Sequence, residues 1–423
     1  LTNSGFDVWS NSTLENVTGT NLVGSWTNYA SGYETFTTSG ADITSAIETG
    51  SGTSYGRTGS VAFEVGKLYK LVATLTHTSG AFPTMFNDAS GDTAGPHDFD
   101  ITLAAGANTV VFEYGVAAGT NNRVWIQTSG NTNYSCTFVV TEVTPGCVAA
   151  DALGPDGWKK YAPEPDVYRE HTGSNTKDGS FYALKYVSAG TADEWSRLVK
   201  RTADGNLPLI ENLNGRTLTL GAWVWSDTAS TARLLIRDGS TFYYSDSHTG
   251  GSTYEWLEVT RAIDSSSTGI EVGLNVYVAS KTVYISQSML VFGSAIGAGN
   301  YSRPMGEVVD FENASNYLNS FNGATGMFSS GSGTPSLEAE SNGRIPKGAK
   351  AVYIQAGIRD SASASGGTNR IYLGKDATSK YDLTVRNDGV PDDVWRYNSG
   401  RVGCDSNGDI YYDIDATGSL TLD

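Results

Sequence analysis

The strongest constraint on this chain is a period that its apolar residues lack. No stretch of about a dozen residues repeats at the 3.6-residue spacing of an amphipathic helix. Short segments that alternate apolar with polar residues, or run β-branched, recur from end to end instead. Examples are SVAFEVGKLYKLVATLTHTSG (60–80), NTVVFEYGVAAG (108–119), RVWIQTSG (123–130) and SCTFVVTEVTPG (135–146), each closed by Gly, Asn, Ser or Pro. The segment nearest to a helix, VVDFENASNYLNSF (308–321), is Asn-rich and predicts one short helix at most. Composition agrees. With 50 Gly and only 17% charged residues, the chain lacks the Glu- and Lys-rich faces of long helices. Its 23 Tyr and 9 Trp are too many for a disordered chain. The fold class expected is all-β, with tandem β-sandwich (jelly-roll) modules and a C-terminal β domain.

The 423 residues are enough for about three domains, and the punctuation divides them accordingly. A first β-sandwich module is expected over 1–146, ending at TPGC. A second module spans 147–294, opening near LGPDGWKKY and closing with TVYISQSMLVFGS. The Gly-rich AIGAGNYSRPMG (295–306) reads as a linker, and a third β domain occupies 307–423. The first two blocks repeat one plan: an early Trp region, a pair of long central strands and a closing strand.

Net charge is −17, from 45 acidic and 28 basic side chains, which disfavours nucleic acid and anionic membranes as partners. No apolar run is long enough for a membrane span. The N-terminal LTNSGFDVWSNST has neither the basic start nor the apolar core of a signal peptide. Cys136 and Cys147 sit close enough in sequence to pair locally. Three cysteines make no disulfide framework, however, and all three are expected free, in keeping with assembly in a reducing cytoplasm.

Block two resembles the jelly-roll carbohydrate-binding modules found in glycan hydrolases and phage virion proteins. LGPDGW (153–158), NGRTLTLGAWVWS (214–226), YEWLEVTRAI (254–263) and YISQSMLVFGS (284–294) carry the resemblance, and SGFDVWS (4–10) extends it loosely to block one. Block three resembles the C-terminal β domains of phage fibre-like proteins through IPKGAKAVYIQAGIRDS (345–361) and DSNGDIYYDIDATGSLTLD (405–423). What the resemblance implies is a trimeric, virion-surface role without catalysis.

The residues themselves offer little chemistry. Asp193–Glu194, Glu255–Glu258 and Asp392–Asp393 are the densest acidic spots, but their polar, turn-like settings read as solvated surface rather than a glycosidase pair. No GxSxG, Cys–His signature or phosphate loop occurs, and His77, His97, His171 and His248 are scattered without metal-ligand spacing. Asp405-Ser-Asn407-Gly-Asp409 begins like a calcium loop but lacks the bidentate Glu, so it reads as a hairpin turn. Neither catalytic residues, a metal nor a cofactor is expected. Five Asn-x-Ser/Thr triplets, at Asn11, Asn16, Asn133, Asn300 and Asn313, fit chance in so Asn- and Ser-rich a chain.

Aromatic residues are more suggestive, because sugar CH faces stack on flat rings while neighbouring polar groups take the hydroxyls. Trp223 and Trp225 lie two apart on one strand, so they share a face opposite Ala222 and Val224, and the core is expected for the tryptophan pair. Trp158, Tyr161, Tyr243 and Tyr244 fall in Gly-, Asp- and Ser-rich segments, where an exposed ring has less structural reason, and are the candidate glycan-binding residues. The expectation is a non-enzymatic virion structural protein: a fibre, tail appendage or capsid decoration, assembled in the host cytoplasm and displayed on the virion surface. Its expected partners are its own copies as a homotrimer held through 307–423, other virion proteins and a host-surface glycan. The alternatives are a secreted bacterial glycan-binding or adhesin protein and a glycoside hydrolase accessory protein.

Overall fold

The computed structural model describes residues 1–17, 19–29, 32–88, 97–115, 122–149, 151–161, 165–191, 195–302, 307–311, 331–358, 369–386 and 394–416. Strands dominate them, and the one α-helix among them is the four-residue Leu337–Glu340. No helix among these residues is long and apolar enough to cross a membrane. The residues 308–321 proposed for a short helix lie mostly outside the described residues.

The chain forms two compact units. One comprises Glu15–Thr144 with Pro335–Asn342, and the other Leu1–Leu14, Pro145–Thr334 and Gly343–Asp423.

In the Glu15–Thr144 unit, one sheet is built from Thr35–Ser39, Asp42–Glu48, Thr132–Cys147, Leu68–Ser79 and Gly106–Glu113, paired in that order. A second sheet runs Trp26–Tyr29, Thr53–Thr58, Arg123–Ser129, Thr84–Asp88 and Asp100–Thr102. Alternate residues of both sheets meet in one core, with Tyr69, Leu71, Ala73, Leu75, Phe138 and Val140 from the first and Trp26, Met85, Val124 and Ile126 from the second. This is a β-sandwich.

The unit holding Pro145–Thr334 repeats the architecture. One sheet is ordered Thr253–Ala262, Thr217–Ser226, Thr282–Phe292, Ala183–Val187 and Asp166–Glu170. The facing sheet is ordered Lys159–Tyr161, Arg197–Arg201, Ile270–Val276, Ala232–Asp238 and Thr241–Tyr244. Leu218, Leu220, Ala222 and Val224 from the first pack against Leu198, Leu234, Ile236, Val272 and Leu274 from the second. The face expected for Trp223 and Trp225 is therefore corrected. The small-plus-Val row is the core face, and both tryptophans lie half-buried on the opposite face. There Trp223 meets Trp256 edge-on at 5.7 Å and Trp225 meets Tyr284 at 5.1 Å.

The first fourteen residues belong to this second unit. Asn3 takes a left-handed backbone, and its side-chain oxygen accepts from the amides of Asp7 and Val8 while its amide donates to the Val8 and Asp156 carbonyls. That arrangement delivers Phe6 and Trp9 into the core beside Trp158.

Toward the C-terminus, Gly331–Gly333, Tyr411–Ala416, Asn369–Gly374 and Leu383–Arg386 form a four-stranded sheet, and Ala351–Ile358 pairs with Arg396–Gly403. Ile358 and Val385, with Ile371 and Ile414 against them, make only a small core. The Asp405–Asp409 segment is a tight turn, its Asp405 carboxylate accepting from the amides of Asn407 and Asp409. It is not a hairpin turn, because the strands on either side pair in different sheets. All three cysteines are free and buried, and burial pushes the Cys136 thiol up to about 12.

Candidate functional site

Of the four residues singled out from sequence, Trp158 is corrected first. It is 1% exposed, its ring lies 4.9 Å from Phe6, and its Nε1 donates to the Asn3 carbonyl. A ring enclosed this way offers no face to a sugar. The local Gly-Pro-Asp-Gly sequence looked exposed because its cover comes from residues about 150 positions earlier in the chain.

Tyr243 also turns inward. On the Thr241–Tyr244 strand it stands opposite Ile236 and packs against the core cluster, half-buried. Period-two alternation then sends Phe242 and Tyr244 to the outer face. Tyr161 shares that face, because it pairs with Arg197 across the Lys159–Tyr161 edge. Two of the four candidates, Tyr161 and Tyr244, thus occupy one surface.

The pairing register specifies the rest of that surface. Ile270, Val272, Leu274 and Val276 point to the core, leaving Glu271, Gly273 and Asn275 outward on the central strand. Arg197, Val199 and Arg201 lie beside them on one flank, and Arg233, Leu235 and Arg237 on the other. Glu271 is the hub: its carboxylate lies 3.3 Å from Arg197, 3.2 Å from Arg201 and 2.7 Å from Arg237. Buried Asn275 accepts from Arg233 Nε at 2.8 Å and donates to the Ser196 carbonyl. A carboxylate with three guanidiniums around it holds these long side chains in fixed positions.

Aromatic rings stack on this arginine layer. Arg197 lies 4.8 Å from the centre of Tyr161 and 5.4 Å from that of Phe242, while Arg233 lies 3.5 Å from Tyr244. Trp195, just ahead of the Arg197–Arg201 strand, meets Phe242 edge-on at 5.3 Å. Their strands are three positions apart in the sheet, about 14 Å at ordinary spacing. Side chains therefore close over the sheet, yet Trp195 remains 55% exposed. Flat rings beside fixed N–H donors can stack on the apolar side of a pyranose while donating to its oxygens.

The Glu15–Thr144 unit carries a comparable face that the sequence reading did not identify. Trp125 occupies the central strand of its five-stranded sheet and pairs with Arg57 on one side and Phe86 on the other. Tyr29 meets it edge-on at 5.0 Å and Phe86 lies parallel at 6.2 Å, itself stacked on His97 at 4.4 Å. Arg57 sits 4.3 Å over Tyr29. Trp125 itself is fully buried, with no hydrogen-bond partner for its Nε1 among the described residues, so what this sheet presents outward is the half-buried Tyr29, Tyr55 and Arg57 around it. The available signal was alternation in RVWIQTS and TSYGRT, which places Trp125, Tyr55 and Arg57 opposite the core residues.

Of the acidic pairs, Glu255–Glu258 falls among the described residues. Burial opposes the charge of Glu258, but hydrogen bonds from Gly297 N, Trp256 Nε1 and Ile296 N hold it below the usual carboxylate range. Glu255 is likewise held low by the Thr249 hydroxyl and amide and by His248, against burial. Asp193–Glu194 and Asp392–Asp393 lie outside the described residues. No cluster of His, Cys, Asp or Glu among the described residues is arranged to hold a metal ion.

No family model matches the sequence. No curated protein matches it. Among solved structures, the chain is similar to the N-terminal CBM22-1–CBM22-2 tandem domain of Paenibacillus barcinonensis Xyn10C, at 10% identity over 66% of this chain and 100% of that one, with a TM-score of 0.25. It is similar to the C-terminal family 22 carbohydrate-binding module of Clostridium thermocellum Xyn10B, at 18% identity over 35% of this chain and 89% of that one, TM-score 0.25. The enzymatically active domain of tailspike protein 4 from bacteriophage CBA120 matches at 11% identity over 32% of this chain and 19% of that one, TM-score 0.25. Likeness at these values says nothing about this chain's ligand.

Proposed function

We propose that the chain is a non-enzymatic glycan-binding protein whose ligand lies on the outer faces of the two five-stranded sheets. The observation that carries this reading is the ordered layer of rings and guanidiniums formed by Tyr161, Trp195, Arg197, Arg233, Phe242 and Tyr244. A purely structural face has no need to leave Trp195 exposed above a fixed cationic layer. Glycan-array binding by the intact chain, lost in Trp195→Ala plus Tyr244→Ala with folding unchanged, is the expected result. Retention of binding in that variant would move the ligand elsewhere.

The setting we propose is the virion surface, as a fibre, tail appendage or capsid decoration, with a homotrimer held mainly through residues 307–423. β modules in series, followed by a domain with a small core and exposed rings at Tyr353, Trp395 and Tyr397, support it. Such rings and open sheet edges are covered when copies associate. Light scattering should give three chains per particle, and a monomer at micromolar concentration removes the trimer. Mass spectrometry of purified particles separates the virion setting from that of a secreted bacterial glycan-binding protein, which would appear in culture medium.

A further inference from the structure

The outer face of the sheet containing Arg197–Arg201 reverses the charge of its surroundings. The whole chain carries −17, yet three adjacent strands place four guanidiniums on this face: Arg197, Arg201, Arg233 and Arg237. The one carboxylate that these strands set among them is Glu271. Asp204, at the rim, pairs with Lys159 at 3.3 Å and with Arg201 at 3.9 Å, so Arg233 and Arg237 are the pair it leaves untouched.

Nor are the arginines fully used. Glu271 faces Arg237 through one terminal nitrogen, Nη1, and the Arg237 side chain, whose buried Nε has no hydrogen-bond partner among the described residues, keeps 30% of its surface exposed. Arg233 bonds through Nε to a neutral amide, lies over Tyr244 and Tyr277, and has no carboxylate within ion-pair distance among the described residues. A guanidinium carries five N–H donors in a planar fork that matches an anionic oxygen pair. Arg233 and Arg237 sit four residues apart on one strand and face the same way, about 13 Å from each other. Rings flank both, with Tyr244 at Arg233 and Phe242 at 5.2 Å from Arg237.

We propose that this face selects an acidic glycan. Anionic groups borne by the sugar chain dock on Arg233 and Arg237, while pyranose faces stack on Phe242, Tyr244 and Trp195. The proposal rests on reading the face as a glycan site and adds the chemical class of the ligand. Exclusion of anionic partners on net charge alone therefore does not extend to this surface, because the local field is set by the nearest charges.

The test titrates the full chain, by calorimetry or affinity electrophoresis, with polygalacturonate, its carboxyl-reduced neutral form, dextran sulfate and neutral dextran. At least one of the acidic polymers is expected to bind about tenfold or more tightly than the neutral ones. Comparison of polygalacturonate with dextran sulfate tells whether the anion is a carboxylate or a sulfate ester. Raising NaCl from about 50 to about 500 mM should weaken binding about tenfold. Arg233→Gln plus Arg237→Gln should reduce acidic-polymer binding to the level of the neutral form. Should that variant fail to fold, the salt dependence and the charged-to-neutral ratio of the unaltered chain still decide the matter. Equal binding of charged and neutral polymers overturns the acidic class while leaving the glycan reading intact. Binding to none of the four, together with an empty broad glycan array, overturns both. Acidic-polymer binding that survives the double substitution overturns the assignment to this face.

Discussion

Trp158 and Trp195 belong to the same module, and environment gives them opposite duties. Asn3 and Phe6 enclose Trp158, whereas Trp195 stands on a fixed arginine layer with one side open. Local sequence distinguishes them poorly, since each lies among small and polar residues, and only the partner from the distant N-terminus decides. Glu271 is a second residue whose role depends on neighbours far away in sequence. Replacing it with Gln removes the negative charge that three guanidiniums share, and mutual repulsion follows. A loss of about 2–3 kcal/mol is expected from urea unfolding of Glu271→Gln, while an unchanged midpoint would deny the hub. Glu340 behaves in the opposite sense. Burial raises its carboxyl from 4.5 to about 7, so the folded chain holds a proton that the unfolded chain has released between those values. Stability therefore falls as pH rises through that window. Glu340→Gln should be more stable than the native chain by about 1–2 kcal/mol at pH 8 and equal to it near pH 4. A pH-independent difference would contradict the assignment.

At the scale of elements, much of the architecture was legible. Alternation in ARLLIRD, IEVGLNV and TLTLGAWVWS marks each strand and divides it into two faces. Alternation does not say which face is covered, so Trp223 and Trp225 fell on the wrong side. A row of Leu, Leu, Ala and Val fills the core as well as large rings would. Nor does it give strand neighbours. The order that places Ile270–Val276 between Arg197–Arg201 and Ala232–Asp238 brings Glu271 to the arginines, and long-range pairing alone sets it. Gly273 lies at the centre of this arrangement. A Cβ there would stand 2.1 Å from the Leu198 carbonyl oxygen, so the adjacent backbones would have to separate. Gly273→Ala is expected to cost about 1–3 kcal/mol and to weaken ligand binding on the same face. Unaltered stability would show that the strands tolerate the separation.

For the whole molecule, the all-β class and the repeated sandwich plan follow from composition and turn punctuation, while the place of residues 1–14 does not. Those residues join the unit of Pro145–Thr334 because Phe6 and Trp9 complete its core, a contact that no local pattern announces. Global charge proved a blunt guide for a similar reason: an acidic chain can gather its arginines on one sheet. Each unit presents its own ring-and-arginine face, centred on Trp125 in one and on Glu271 in the other. Under the proposed function, two such faces in one chain raise apparent affinity through effective concentration, and association of chains raises it further.

Both faces include tryptophan, so intrinsic fluorescence reads them directly. Titrating the intact chain with the glycan that an array identifies should give a saturable shift in tryptophan emission. The account predicts that Trp195→Ala plus Tyr161→Ala weakens that binding about tenfold or more, with the unfolding midpoint changed little. Undiminished affinity in this variant, or no saturable binding to any arrayed glycan, would contradict the account.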